Sequence, residues 1–185
     1  MSRFKWVVLA LIVVVIGGAV ALVLIERPKL EDAQTAVDAK WKPLTAEDQL
    51  VLRERKLEGA LSAFDAAGGT DRSVSRDLHR ALRQWNTTLK QGDAGAQVDA
   101  ANTVEAQGAR LYANVVRNDR FKGVKAATDA LAAWAGTQPA KARVAAYNRS
   151  TRSYEDARHG LLARPVALVL GYGERPQFRL ANLEL

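Results

Sequence analysis

Apolar residues follow two different patterns along this chain. Residues 6–25, WVVLALIVVVIGGAVALVLI, are apolar on every side and carry no charge. From residue 30 onward they recur at intervals of three and four, which marks one face of an α-helix. Leu30, Ala33, Val37, Trp41 and Leu44 form the first such stripe. Pro28 suits a helix start, and Pro43 predicts a stop near Trp41. TAED at 45–48 resembles a capping-box start, followed by the stripe Leu50, Leu57, Leu61 and Phe64. AAGGTD at 66–71 is a loop, with Asp71 or Ser73 as the next N-cap.

Val74, Leu78, Leu82, Trp85 and Leu89 make a third stripe, and QGDAG at 91–95 punctuates it. Val98, Ala101, Val104, Leu111 and Val115 make a fourth, and Phe121, Val124, Leu131 and Trp134 a fifth. GTQPA at 136–140 breaks or kinks the helix at Pro139. The last stripe runs Val144, Tyr147, Thr151, Tyr154 and Leu161. Period-two alternation is missing, so strands are not expected. Short links between long amphipathic helices predict antiparallel neighbours. The fold class is all-α: a single N-terminal transmembrane helix followed by a long antiparallel helical bundle.

The run 6–25 sets the location. At 1.5 Å per residue it covers about 30 Å, the thickness of a bilayer's hydrocarbon core. Trp6 suits an interface, and Arg3, Lys5, Arg27 and Lys29 bracket the run. A cleavable signal peptide is the competing reading, with AVA at 19–21 as its cleavage site. Its apolar core is normally about 7–15 residues, whereas this one continues through Ile25, which favours an uncleaved anchor. Lys40 and Lys42 add to the charge after the span. The charge before it is compressed into five residues, which favours an N-terminus inside and a bundle outside the cytoplasm.

Composition adds exclusions. The chain has no cysteine, so disulfides and thiolate chemistry are absent. A net charge of +7 is a modest basic excess on a mixed-charge surface, and no nucleic-acid-binding motif accompanies it. His79 has no partner histidine at helical spacing, and His159 lies near a helix end. Both read as surface residues. Glu54 and Glu58 stand four apart and read as surface charge pairing. GYGERP at 171–176 lacks the second half of a nucleotide loop. No nucleophile, metal set or cofactor motif emerges, and a non-enzymatic protein is expected.

Two features remain. Tyr147 and Tyr154 lie seven apart on an otherwise polar helix, with Asn148 after the first. They fall on the buried stripe, as core residues with rings inward and hydroxyls free to reach the bundle edge, or they serve a partner. Beyond them, LLARPVALVLGYGERPQFRLANLEL holds an apolar run too short to span a bilayer. This tail could cap the bundle, lie at the membrane interface or dock on a partner.

These same residues carry a resemblance. YNRSTRSYEDARHGLLARPVALVLGYGERPQF is similar to the C-terminal signature of the LemA family. In that signature a helical Tyr-Asn is followed seven residues on by a second Tyr, then an apolar segment, a Gly-Phe pair and an Arg-Pro-aromatic-Phe ending. Tyr147, Asn148, Arg152, Tyr154, Val166, Ala167, Gly171, Tyr172, Arg175, Pro176 and Phe178 fall in step without a gap. LYANVVRNDRFKGVKAATDAL also resembles the family. RERKLEGALSAF departs from it, lacking the Pro and Asn of the family's first motif, and Pro165 comes later than the family's proline, so the chain resembles a divergent member.

The resemblance implies an anchored helical bundle in a bacterial membrane, with no catalytic residues. It suggests a scaffold or sensor acting through protein partners at the cell envelope. The division expected is a short tail at 1–5, a span at 6–25, a bundle at 29–164 and an apolar tail at 165–185 on or near the bundle. The expected partner surface is Tyr147, Asn148, Tyr154, Val166, Leu170, Gly171, Tyr172, Arg175, Pro176 and Phe178. Expected partners are the lipid bilayer through 6–25 and a membrane or envelope protein, with no nucleic acid. Association with further copies of the chain is open. The other functional reading is a sensor or carrier for a lipid or small apolar ligand at the membrane surface.

Overall fold

The computed structural model describes residues 2–70 and 72–181. Among these the regular elements are helices: α1 (Ser2–Trp41), α2 (Leu50–Phe64), α3 (Ser73–Gln91), α4 (Ala94–Arg117), the one-turn α5 (Asp119–Lys122), α6 (Lys125–Gly136), α7 (Lys141–Arg158) and α8 (Ala163–Leu170). A π-helical turn, Asp65–Gly69, follows α2. The chain is all-α, as its spacing predicts.

Helix α1 is 40 residues long and unbroken. Its first part is apolar and unburied, and this is the one described helix long and apolar enough to cross a membrane. Its second part enters the core through Leu30, Val37 and Trp41. Pro28 does not start a helix; it lies inside α1. Proline lacks an N–H, so the carbonyl four residues back, at Leu24, loses its helical partner. The helix continues because the stripe after Pro28 is fixed by packing against α7.

The remaining helices pair as α2 with α6, α3 with α4 and α1 with α7, and α8 returns to α1. The stripes Leu50–Phe64, Val74–Trp85 and Val98–Val115 are buried as their spacing requires, in one core with Phe121, Leu131 and Trp134. Complete burial of one such side chain contributes about 1.5–3 kcal/mol. Pro139 breaks the chain: α6 ends at Gly136 and α7 begins at Lys141.

Three local expectations fail. Thr45 donates to the Lys42 carbonyl rather than capping, and α2 begins only at Leu50, after Gln49. Arg72, in extended conformation, occupies the N-cap of α3; Asp71 lies outside the described residues, and Ser73 is already helical. Leu161 falls past the end of α7 and is 91% exposed. The punctuation at 91–95 does hold. Gly92 adopts φ 77°, the left-handed C-cap of α3, and Asp93 caps α4 by accepting from the Ala96 N–H.

Candidate functional site

After α8 the chain turns at Gly171, with φ 74°, and runs to Ala181 without helix or strand. Such a segment beside helices has no ladder to pair with, yet a buried peptide group must be paired. Here side chains supply the partners. Tyr154 Oη donates to the Gly173 carbonyl at 2.8 Å, and Tyr147 Oη to the Pro176 carbonyl at 2.8 Å. Glu155 Oε1 accepts the Arg175 N–H at 2.7 Å.

Around Phe178 the pairing is two-sided. On the α7 side, Asn148 accepts the Phe178 N–H and donates to the Phe178 carbonyl, both at 2.9 Å. On the α4 side, Asn102 donates to the Gln177 carbonyl at 2.9 Å and accepts the Arg179 N–H at 2.8 Å. In extended backbone, successive residues present their polar groups to opposite edges. Each asparagine therefore serves one edge, as a neighbouring strand would. The tail runs against the direction of α7 and along that of α4. Its Phe178 ring fills the seam beside Trp41, 5.7 Å between centroids, and Trp41 lies 5.1 Å from Tyr147.

Charges fix both ends of this seat. Arg175 is 8% exposed and pairs with Asp38 of α1 through Nε at 3.1 Å and Nη2 at 3.3 Å. At the far end Glu105 accepts the Ala181 N–H at 2.9 Å. The same carboxylate grips Arg53 through Nη2 at 2.8 Å. Arg53 also donates to the Trp134 and Thr137 carbonyls and lies over the Trp134 ring, 4.4 Å from its centroid. A guanidinium at a helix C-terminus satisfies orphan carbonyls and meets the negative end of the dipole. This one node joins α2, α4, α6 and the tail.

Glu54, next to Arg53, is buried rather than a surface charge, and neither of its side-chain oxygens has a hydrogen-bond partner among the described groups. Burial, and then the Glu105 charge, push its carboxyl well above the usual range, against the pull of Arg53. Tyr147 is pushed up to about 12, chiefly by burial, so its phenol stays a donor near neutrality. Burial also raises Tyr154.

The structure turns most of the expected partner surface inward, with Tyr147 and Tyr154 on the buried stripe as their spacing expects. Tyr147, Tyr154, Val166, Arg175 and Phe178 are buried, and Asn148 and Pro176 are half-buried. Their polar groups are engaged with the chain's own tail. Tyr172 is half-buried against Leu30 and α8, while Leu170 and Gly171 are exposed. The accessible apolar surface lies beside them: Leu161, Leu162, Leu168, Val169 and Leu170 are 91, 56, 73, 79 and 42% exposed. Sequence reasoning overlooked Asn102, Glu105, Arg53 and Asp38. Their partners lie 52 to 137 positions away, and no local spacing announces such pairs.

A separate apolar groove of about 520 Å³ lies between α4 and α6, lined by Tyr112, Val115, Val116, Leu131, Ala135 and Ala181. His79 bonds Asp65 at 2.8 Å and His159 approaches Glu155 at 3.4 Å, both at the surface. Among the described residues no three His, Asp or Glu side chains gather as a metal site. No protein-family model, curated protein or solved structure matches the chain.

Proposed function

We propose that the chain is a membrane-anchored, non-enzymatic helical protein of LemA type. It acts as a scaffold or sensor through protein partners at a bacterial cytoplasmic membrane, with the bundle on the extracytoplasmic side. One observation carries this reading: a single unbroken helix runs from an apolar, unburied stretch into the core of the bundle. A flexible tether would only localise the bundle. A continuous helix also fixes how it stands on the surface. Of the expected partner surface, Leu170 and Gly171 remain exposed, while Tyr147, Asn148 and Tyr154 hold the chain's own tail.

The test is protease treatment of intact spheroplasts carrying a C-terminally tagged chain. Loss of the tag before lysis supports the extracytoplasmic bundle. Protection until lysis places it in the cytoplasm, and release of the tagged chain into the soluble fraction refutes the anchor. Crosslinking in those spheroplasts, followed by identification of partners, tests the scaffold role; recovery of the chain alone refutes it.

The α4–α6 groove favours a second reading, a sensor or carrier for a small apolar ligand. Its volume lies in the range of small-molecule sites, about 300–1,000 Å³. Native mass spectrometry of the full chain, released gently from its micelle, decides this. A stoichiometric adduct lost on Leu131→Trp supports it, and a clean apo mass refutes it.

A further inference from the structure

Helix α8 and the turn before it present an unusual surface. One face, Ala163, Val166 and Ala167, is buried against α1. The other face, with the preceding turn, exposes five aliphatic side chains within ten residues. A stretch of this kind facing water is rare unless something covers it.

The position of α8 says what covers it. Its buried face packs on Leu30 and also on Leu22 and Val23, which belong to the apolar stretch of α1. Its C-terminal end, at Leu170–Tyr172, shares a cleft with Arg27, Glu31 and Asp38, on the charged part of α1. Helix α8 therefore straddles the level at which α1 changes from apolar to charged, between Ile25 and Arg27. Leu22 lies about 4.5 Å inside that boundary at 1.5 Å per residue. Interfacial helices bury their apolar face about 5–10 Å below the headgroup boundary. Arg164, exposed near the opposite end of the helix, has a stem long enough to reach back toward the headgroup level.

We propose that α8 is a second membrane contact: an interfacial helix whose Leu161, Leu162, Leu168 and Val169 side chains insert into the lipid leaflet beside the anchor. This rests on the reading that residues 6–25 cross the bilayer. The partner is lipid acyl chain, recognised by shape-tolerant apolar contact. The continuous α1 fixes the bundle relative to the span, and the second attachment at α8 restrains the tilt of span and bundle together in the bilayer.

The chain's lack of cysteine makes the test direct. Full-length single-cysteine variants carry an environment-sensitive fluorophore at Leu168→Cys, at Val14→Cys in the span, or at Ser153→Cys on the exposed side of α7. Each is reconstituted into phosphatidylethanolamine–phosphatidylglycerol vesicles with bromine placed shallow or deep on the acyl chains. Strong quenching of the 168 probe by shallow bromine, with the 153 probe unquenched, is the expected result. Adding Leu162→Glu and Val169→Glu, both at exposed positions, is expected to abolish the 168 quenching and leave the 14 probe quenched by deep bromine.

A quenched 14 probe with a water-exposed 168 probe overturns the proposal and leaves the anchor standing. A blue-shifted 168 probe that neither bromolipid quenches means that protein, a second copy or a partner, covers α8, which also overturns it. An unquenched 14 probe refutes the anchor, and the interfacial helix falls with it.

Discussion

The side chain of Asn148 holds both polar groups of one residue, accepting the Phe178 N–H and donating to the Phe178 carbonyl, each at 2.9 Å. A hydrogen bond to a buried peptide group is worth about 1 kcal/mol net, and leaving the group unpaired costs about 1–3 kcal/mol. Asn148→Ala is expected to lower stability by about 2 kcal/mol and to expose the tail, read as earlier chymotrypsin cleavage at Phe178. Asn148→Asp keeps the acceptor but sets a carboxylate against a carbonyl, and it is expected to be no better than alanine. Unchanged cleavage in both variants would refute the clamp.

Arg53 and Glu105 form the buried ion pair at the centre of the bundle. Removing one member of such a pair costs about 3–5 kcal/mol, because the other charge is left buried. Arg53→Met alone is expected to destabilise by that amount in denaturant titration. Arg53→Met with Glu105→Leu is expected to recover most of it, though the Ala181 N–H then loses its acceptor. A double variant as unstable as the single one would show that the carbonyl bonds of Arg53, not the pair, carry the effect.

Glu54 gives the fold a pH dependence. Its carboxyl is raised in the folded chain above the reference 4.5, so between 4.5 and that raised value the folded state holds more protons than the unfolded one. Stability then falls as pH rises through this window and stays lower above it. Glu54→Gln removes the titration. The variant is expected to be more stable than the parent near neutrality, with a flatter melting temperature against pH. Parallel profiles for the two would refute the assignment.

Two glycines separate space from propensity. A Cβ on Gly108 of α4 would stand 2.7 Å from Trp134 Cζ2 and 3.0 Å from Leu57 Cδ2, whereas one on Gly59 of α2 would meet nothing within 4 Å. Overpacking costs about 1–3 kcal/mol, so Gly108→Ala is expected to destabilise. Gly59→Ala is expected to stabilise by about 0.5–1 kcal/mol through helix propensity. Thermal melts of the two variants should move in opposite directions.

Tyr147→Phe removes only the donor to the Pro176 carbonyl and keeps the ring against Trp41. It is expected to cost about 1 kcal/mol. Tyr147→Ala also opens a cavity and is expected to cost about 3–5 kcal/mol. A ratio near one between these two losses would show that the hydroxyl, not the ring, anchors the tail.

The helices were legible because burial of one face imposes a three-and-four spacing that any stretch of sequence displays. Leu78, Leu82 and Trp85, or Val98, Ala101 and Val104, declare their face with no knowledge of what covers it. The tail was not legible for the opposite reason. Its conformation is held by single side chains of α4 and α7 reaching peptide groups, and peptide groups are the same at every residue. Tyr147, Asn148 and Tyr154 stood out as unusual, but nothing nearby says whether their partner is another protein or the same chain. Glu54 misled because a carboxylate four residues from another usually faces water. Pro28 misled because a rule about starts does not know how strongly the residues beyond it pack.

The unbroken α1 makes the direction in which the bundle faces a matter of helical phase. Each residue of α1 turns its successors by about 100° and lifts them by about 1.5 Å. With residues 6–25 in a bilayer, as proposed, one residue inserted ahead of Leu22 would turn the bundle by more than a quarter turn relative to the span, with the α8 contacts to Leu22 and Val23 kept. The compass bearing of the domain on its proposed span is thus written in the count of residues of α1 ahead of Leu22.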